Sequence, residues 1–315
     1  MTESTFRILL AEPYSPNAVE RLAAIGTVVT LPSCDGETVR HALADCDALL
    51  VRTATVVDAS LLESANRLRV IGRGGVGLDN IDVEAATQRG ITVVYTPDAG
   101  TEAVADLTVG FLLSLLREIP TMDTAVRTGR FVDARSKAIA REMHELTLGI
   151  VGMGRIGRAV ARRCRNGFGM RILYNDIVLP GWLDFVAESR TKESVYAEAD
   201  VVSLHVPLTP ETRNLIGATA LTQFKPGAYV INTSRGAIVD AAAVSQALSS
   251  RRLGGFATDV FDVEPPPANH PLLSAPHTIF TPHIGAKTHR AQAAMNDVVE
   301  DVIRVLRGQT PLYPA

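Results

Sequence analysis

The sequence is poor in cysteine and has no cysteine spacing that is typical of a metal site. Its three cysteines, an odd number scattered over the chain, are Cys34, Cys46 and Cys164. A secreted disulfide framework usually shows an even number of cysteines at close spacing, and structural zinc sites use cysteine pairs. We therefore expect reduced thiols in a cytoplasmic protein, and we expect no metal site.

Long hydrophobic runs and blocks of one charge are also missing. The most apolar stretch of helix length, residues 103–116, contains Asp106 and is shorter than the ~20 residues that a membrane span needs. The first apolar strand runs directly into Glu12 and Pro13, so no signal peptide is expected. Formal net charge is −3 without long basic or acidic blocks. These features argue against a nucleic acid or a membrane as partner.

Short β-branched runs alternate with longer helical patterns along the chain. Apolar runs without strict alternation are typical of parallel strands that are covered on both faces. The predicted fold class is therefore α/β, with two doubly wound parallel-sheet domains of the Rossmann or flavodoxin-like kind and a cleft between them. The predicted strands are Arg7–Ala11, Val28–Leu31, Ala48–Arg52, Arg69–Gly72, Thr92–Tyr95, Leu148–Val151, Met170–Tyr174, Val201–His205, Ala228–Asn232, Gly255–Asp259 and Thr278–Thr281.

Two long helical patterns suggest how the chain is divided, since 315 residues favour two domains. The mostly apolar stretch Thr101–Arg117, ended by Pro120, can carry the chain from one domain to the other. A second helix, His289–Arg307, can return it. We expect a discontinuous first domain of residues 1–98 plus 289–315 and a continuous second domain of residues 99–288.

A glycine-rich loop follows the strand that ends at Val151. The residues from Gly152 to Gly157 read G-x-G-x-x-G and precede a helix that we expect to start near Arg158. In a nucleotide-binding fold, the first glycine permits the turn, Gly154 lets the backbone approach a pyrophosphate, and the third allows close packing of helix and strand. Asp176 ends the next strand, where an acid binds ribose hydroxyls and repels a 2′-phosphate. The loop predicts NAD rather than NADP. A glycine-rich turn without a ligand and an S-adenosylmethionine-binding methyltransferase are the alternatives.

Three candidate catalytic residues follow the later strands. Arg235, Glu264 and His283 each lie just beyond the carboxyl end of a predicted strand, where open α/β sheets bind their ligands. An arginine offers a bidentate fork to a carboxylate, and a histidine transfers protons near neutral pH. A carboxylate beside that histidine favours its charged form. Each residue has an ordinary structural interpretation when it is taken alone, so the prediction depends on their shared position beside the glycine loop.

These segments resemble the D-isomer-specific 2-hydroxyacid dehydrogenase family over nearly the whole chain. The resemblance is carried by GIVGMGRIG (149–157), His205–Pro207 with Thr209 and Thr212, INTSRG (231–236), DVFDVEP (259–265) and TPHIGA (281–286). It implies that Arg235, Glu264 and His283 are the catalytic set. It also implies a homodimer formed through the nucleotide-binding domains, with the 101–117 helix as a plausible contact.

The resemblance further implies a set of cofactor and substrate contacts. Asp259 would meet the nicotinamide amide, and Arg155 and Ile156 would lie on the pyrophosphate. The complete set of implied NAD contacts is Gly152, Gly154, Arg155, Ile156, Gly157, Asp176, His205, Val206, Pro207, Thr212, Thr233, Asp259, His283, Gly285 and Ala286. On the substrate side, backbone amides of Gly75 and Val76 would bind the carboxylate together with Arg235, and Arg52 would meet a phosphate.

The substrate is the less determined part of the prediction. VRTAT (51–55) and GRGGVGLDNID (72–82) look most like 3-phosphoglycerate dehydrogenases, so a 3-phosphoglycerate-like acid is the first choice. The segments Asp98–Thr101 and Gly129–Glu145 depart from the family pattern, with Phe131 where a tryptophan is usual and Asp106 where a glutamate is usual. Hydroxypyruvate or glyoxylate reduction and the oxidation of a phosphonate-type hydroxy acid are alternatives. A different class, an NAD-sensing protein like the C-terminal-binding co-repressors, also shares the fold. The chain ends at Ala315, so no C-terminal regulatory domain is expected.

Overall fold

The computed structural model describes residues 6–315, which form two compact units. One unit comprises the chain up to Gly100 together with Ala286–Ala315, and the other comprises Thr101–Gly285. Within the described part of the chain, no helix combines the length and the apolar character that a membrane crossing requires. No cluster of three or more histidine, cysteine or acidic side chains among residues 6–315 is arranged to hold a metal ion.

Strands and helices alternate at the start of the first unit. They are β1 (Phe6–Leu10), α1 (Pro16–Ala23), β2 (Gly26–Thr30), α2 (Gly36–Leu43), β3 (Ala48–Val51), α3 (Ala59–Glu63), β4 (Val70–Arg73), α4 (Val83–Gln88) and β5 (Thr92–Tyr95). The strands form a parallel sheet in the order β2-β1-β3-β4-β5. Every residue of β3 and β4 is buried, as expected for strands with helices on both faces. Each helix starts at a side-chain cap, provided by Ser15, Asp35, Asp58 and Asp82.

The second unit contains the larger sheet. Its elements are α5 (Thr101–Leu116), α6 (Ile119–Arg127), α7 (Phe131–Lys137), β6 (Thr147–Val151), α8 (Arg155–Phe168), β7 (Arg171–Asn175), β8 (Glu188–Ser189), α9 (Lys192–Glu198), β9 (Val201–Leu204), α10 (Ala218–Leu221), β10 (Ala228–Asn232), α11 (Ala241–Ser249), β11 (Leu253–Thr258) and β12 (Thr278–Phe280). The parallel strands lie in the order β12-β11-β10-β9-β6-β7-β8. The chain order reverses between β6 and β9, and such a switch point is where open α/β sheets bind ligands. The predicted fold class of two doubly wound parallel sheets is confirmed.

The last segment of the chain returns to the first unit as α12 (His289–Asn296) and α13 (Val298–Leu306). Val298, Val299, Val302 and Leu306 on α13 pack in one buried cluster with Ile8, Leu50 and Val70 of the sheet. The apolar face of α13 therefore completes the core on one side of the first sheet.

Several predicted helix bounds were wrong. The helix predicted over His289–Arg307 is two helices, because α12 ends at Asn296 and a one-residue turn at Asp297, which keeps right-handed helical dihedral angles, separates it from α13. The helix predicted near Arg158 begins at Arg155, since Gly154 is already its N-cap. Pro120 does not end α5; Glu118 turns the chain in a left-handed conformation, and Pro120 lies in the first turn of α6. The two-residue edge strand β8 was not predicted at all, because it is too short to leave a pattern.

Candidate active site

At two positions of the loop after β6, the backbone geometry permits only glycine. Gly152 has a left-handed φ of 95°, and a Cβ there would lie 2.6 Å from the carbonyl oxygen of His205. A Cβ at Gly157 would overlap the carbonyl group of Gly152. The loop is therefore folded tightly against the start of its own helix and against the end of β9.

Gly154 fills a different role in the loop. It is the exposed N-cap of α8, no side chain caps the helix there, and a Cβ at Gly154 would meet nothing within 4 Å. The first turn of α8 begins with Arg155 and Ile156, and no side chain of the N-cap residue bonds to its N–H groups. A helix N-terminus attracts an anion, so this turn fits the pyrophosphate of a dinucleotide.

Asp176 follows β7 and is joined to the glycine loop. Its Oδ2 accepts a hydrogen bond from the N–H of Met153 at 2.6 Å, and its Oδ1 accepts one from Val178 at 2.9 Å. This places the carboxylate beside the loop, where an acid can accept hydrogen bonds from a ribose. It also gives Asp176 a structural role that the sequence did not indicate.

His205 follows β9 and is held as a neutral ring. Its Nε2 lies 2.8 Å from the hydroxyl oxygen of Ser203, and burial lowers the pKa of His205 to about 3. Beyond Val206, the Thr212 hydroxyl donates to the carbonyl oxygen of Pro207 at 2.6 Å and accepts from the N–H of Thr209 at 2.7 Å. The predicted cofactor residues of this segment thus form an internally bonded turn.

Arg235 lies in a short loop that follows β10. The buried amide of Asn232 shapes this loop: its Nδ2 donates to the Arg235 carbonyl oxygen at 2.9 Å, and its Oδ1 accepts from the N–H and the hydroxyl of Ser234. Thr233 points the other way, where its hydroxyl lies 3.0 Å from that of Thr108 on α5. The Arg235 guanidinium donates to the Ser234 carbonyl oxygen at 2.7 Å.

Glu264 and His283 meet directly. The Nδ1 atom of His283 lies 2.8 Å from Oε2 of Glu264, and each side chain is about one third exposed (36% and 35%). The other carboxylate oxygen of Glu264 accepts the N–H of Phe261 at 3.0 Å. This arrangement engages one ring nitrogen of His283 with a carboxylate, so Nε2 is the ring nitrogen left for proton transfer.

Asp259 organises the loop that carries His283. Its carboxylate accepts hydrogen bonds from the Thr281 hydroxyl at 2.6 Å and from the backbone N–H groups of Ile284 (2.8 Å) and Gly285 (2.7 Å). Its carbonyl oxygen accepts the N–H of His283 at 2.8 Å. His283 has a left-handed φ of 53°, an uncommon conformation that these bonds stabilise. The buried carboxylate of Asp259 therefore stabilises the loop that carries His283.

The loops of Arg235 and Glu264 are packed backbone to backbone. A Cβ at Gly236 would overlap the peptide between Phe261 and Asp262, so these loops touch without side chains between them. A second histidine–acid pair, His270 Nε2 with Asp262 Oδ1 at 2.8 Å, fixes the middle of the Glu264 loop. The ends of β10, β11 and β12, which are neighbours in the sheet, thus bring the three predicted catalytic residues to one edge.

The remaining predicted contacts lie in the first unit. Arg52 follows β3, and its guanidinium donates to Pro13, Gln292 and Asn296. Gly75 has a φ of 153°, and its N–H donates to the carbonyl oxygen of Arg73 at 2.9 Å. A substrate carboxylate at Gly75 and Val76 would share that N–H with Arg73.

Sequence reasoning missed most of the residues that support these groups. Asn232 was visible in the INTSRG motif, but its amide bonds were not. The same holds for Thr108, whose hydroxyl partner Thr233 lies 125 positions away, and for the pair of Asp262 and His270, which are eight positions apart in an irregular loop. Only a pattern of buried polar residues at strand ends could have indicated them.

The chain matches known proteins over nearly its full length. The family described as "D-isomer specific 2-hydroxyacid dehydrogenase, NAD binding domain" matches residues 109–285. A D-3-phosphoglycerate dehydrogenase of Methanocaldococcus jannaschii is 41% identical over 96% of this chain and 58% of its own length. A glyoxylate reductase of Korarchaeum cryptofilum is also 41% identical, over 85% of this chain and 82% of that protein. The chain thus spans less than two thirds of the phosphoglycerate dehydrogenase.

Solved structures agree with this result. The crystal structure of a glyoxylate reductase from Paecilomyes thermophila has a TM-score of 0.91 and 31% identity, and the match covers 99% of this chain and 98% of that one. Because the family match extends over more than half of the residues and relatives reach 41% identity, the chain belongs to the D-isomer specific 2-hydroxyacid dehydrogenases.

Proposed function

We propose that the protein is an NAD-dependent oxidoreductase that interconverts a small D-2-hydroxy acid and its 2-keto acid. The observation that carries the proposal is the Glu264–His283 pair at the same sheet edge as Arg235, in the unit that contains the glycine loop. The unit of Thr101–Gly285 would bind NAD, and the unit of the N-terminal residues and Ala286–Ala315 would bind substrate.

NAD, when bound, supplies the hydride acceptor for oxidation, and NADH supplies the hydride for reduction. In reduction, His283 gives the proton on Nε2 to the carbonyl oxygen of the keto acid. Glu264 accepts a hydrogen bond from the Nδ1–H group of the same ring, which orients the imidazole. In oxidation, neutral His283 takes the hydroxyl proton.

Arg235 is proposed to bind the substrate carboxylate. Its guanidinium offers parallel donors that match a carboxylate, and the Asn232 amide fixes the backbone from which it extends. The amides of Gly75 and Val76 are the further proposed carboxylate contacts.

A 3-phosphoglycerate-like acid is the preferred substrate. It is favoured by Arg52, a partly buried cation, and by the names of the relatives that match most of this chain. Reduction of glyoxylate or hydroxypyruvate is the second candidate, because a 41% identical relative is a glyoxylate reductase. An acid with a phosphonate group is a third.

A screen of 2-keto acids with NADH, monitored by NADH absorbance, tests the reaction class. We expect turnover that falls about 10²- to 10⁴-fold in His283→Ala, the usual contribution of a general acid, while the variant still binds NADH. Full activity of His283→Ala would overturn the assignment. Tight NADH binding without turnover of any acid would favour the NAD-sensing alternative.

Arg52→Ala tests the substrate. If Arg52 binds a phosphate, the KM for a phosphorylated substrate rises at least about tenfold, because a charge-assisted hydrogen bond of 1.5–3 kcal/mol is lost. An unchanged KM contradicts the phosphorylated substrate and favours the second candidate.

We also propose a cytoplasmic homodimer. Its support is a group of exposed apolar residues on and beside α6 and α7, namely Val126, Phe131, Val132 and Ile139. The apolar side of α5 is largely buried within its own unit, so these residues are the better candidates for a contact. Sedimentation should show a dimer for the wild type and a monomer for Val132→Glu. A monomeric wild type would contradict the proposal.

The three cysteine thiols are all free, which suits a reducing compartment such as the cytoplasm. Cell fractionation can check this localisation.

A further inference from the structure

The Arg52 guanidinium is held by neutral acceptors. Its Nε donates to the carbonyl oxygen of Pro13 at 3.0 Å, one terminal nitrogen donates to Oε1 of Gln292 at 3.2 Å, and the other donates to Oδ1 of Asn296 at 2.9 Å. The ring of Tyr14 lies 4.7 Å from the guanidinium carbon. Within residues 6–315, no carboxylate forms an ion pair with Arg52. The terminal nitrogen that bonds to Gln292 also contacts the Met295 sulfur at 3.8 Å, so four of the five N–H donors are used, and none of these acceptors carries a charge.

The carboxylate of Glu12 bonds to the backbone beside Arg52 and not to its guanidinium. Its carboxylate accepts four backbone N–H groups, from Arg52 (2.7 Å), Thr55 (3.1 Å), Thr53 (3.2 Å) and Ala54 (3.2 Å). Glu12 therefore fixes the backbone of the loop after β3. It does so without bonding to the guanidinium.

The acceptor orientation of both α12 amides is fixed by their other bonds. Asn296 is 9% exposed; its Nδ2 donates to the Gln292 carbonyl oxygen at 2.7 Å, and its Oδ1 also accepts the N–H of Ser15 at 3.2 Å. The Nε2 of Gln292 donates to the Ala286 carbonyl oxygen at 3.1 Å. Each amide thus presents its oxygen to Arg52. A carboxylate at either position would have the same shape, but its second oxygen would replace the nitrogen that donates to a backbone carbonyl oxygen.

We propose that Asn296 and Gln292 are specificity-determining residues that hold Arg52 in place without neutralising it. A cation held in this way keeps its attraction for an anionic group on the part of the substrate away from the reacting carbon, such as a phosphate ester. An aspartate or glutamate at these positions would pair with Arg52 and remove that attraction. The inference rests on the proposed function, since it assumes that Arg52 meets the substrate.

Asn296→Asp is the direct test, because it changes one heavy atom and adds one negative charge. The measured quantity is the ratio of kcat/KM for phosphohydroxypyruvate to that for hydroxypyruvate, two keto acids that differ only in the phosphate. We expect the wild-type ratio to exceed one and to fall at least tenfold in Asn296→Asp, mainly through KM of the phosphorylated acid. Gln292→Glu, at a half-buried position, should lower the ratio in the same direction and decides the question if Asn296→Asp does not fold.

Two controls separate charge at Arg52 from other effects. Gln309→Glu adds the same charge at an exposed position and should leave the ratio unchanged. In an Arg52→Ala background, Asn296→Asp should have no further effect on the ratio, because the pair that it perturbs is gone.

The outcomes distinguish this inference from the proposed function. An equal loss with both acids, an unchanged ratio, or a wild-type ratio of one or less overturns the inference while the reaction class stands. Failure of the wild type to reduce any 2-keto acid overturns the proposed function and the inference with it.

Discussion

The Nδ1 atom of His283 lies 2.8 Å from Oε2 of Glu264, while the other oxygen of Glu264 is held by the N–H of Phe261. A carboxylate fixed at both oxygens restrains the imidazole to one orientation. Because Nδ1 is engaged, the chemistry proposed for His283 is limited to Nε2.

Glu264→Gln should preserve the shape of this contact and remove its charge. Hydrogen bonds to charged groups contribute about 1 kcal/mol more than neutral ones, so kcat for keto acid reduction should fall about 5- to 10-fold. Calorimetric titration should give an unchanged Kd for NADH. Glu193→Gln, at an exposed position on α9, is the matched control. If Glu264→Gln keeps the wild-type kcat, the negative charge of Glu264 does not contribute to catalysis.

Gly236→Ala should be damaging although glycine and alanine differ by one methyl group. The methyl group would overlap the peptide between Phe261 and Asp262. A flexible side chain could rotate away from it, but a peptide group can move only if its loop shifts. The Glu264 loop must shift, so we expect a loss of about 1–3 kcal/mol in unfolding free energy and about 10²-fold in kcat. Urea unfolding and steady-state kinetics measure the two effects.

Gly167→Ala is the control for that substitution. Gly167 lies near the end of α8, and a Cβ there meets nothing within 4 Å. It should be neutral or stabilising by up to about 1 kcal/mol, as alanine favours helices. If Gly236→Ala behaves like Gly167→Ala, the close approach of the two loops is not required.

The sequence was sufficient to predict the sheets because parallel buried strands leave continuous apolar runs. It also placed Arg235, Glu264 and His283 at strand ends, since a strand and the turn that follows it are local features. The break at Asp297 was not predicted, because the apolar face of α13 continues the pattern of α12.

The partners of the site residues were beyond prediction for a different reason. Arg52 and Asn296 are 244 positions apart and meet only because α12 returns to the first unit. Glu12 and the loop of residues 52–55 are joined through backbone N–H groups, which leave no trace in residue identity. Long-range hydrogen bonds of this kind depend on the tertiary fold.

Asp176→Asn tests the preference for NAD. The substitution removes a negative charge that would repel a 2′-phosphate, and it also replaces one of the two oxygens that accept from Met153 and Val178. The ratio of kcat/KM with NADH to that with NADPH should fall at least about tenfold, which corresponds to 1.4 kcal/mol. Asp184→Asn removes an exposed charge from the same loop and should leave the ratio unchanged. An unchanged ratio in Asp176→Asn would show that selectivity lies elsewhere.

His205 should make stability depend on pH. Its pKa is about 3 in the folded protein and 6.5 in the reference state, so below pH 6.5 the unfolded chain binds a proton that the folded chain excludes. The free energy of unfolding should therefore fall as pH drops from 6.5 toward 4, with a contribution from this residue of up to about 1.4 kcal/mol per pH unit. His205→Gln, which carries a neutral amide, should lose that part of the slope in urea titrations at pH 7, 6 and 5. His144→Gln replaces an exposed histidine of the same unit and should keep it. Equal slopes in the wild type and His205→Gln would mean that the folded protein accepts a proton on this ring.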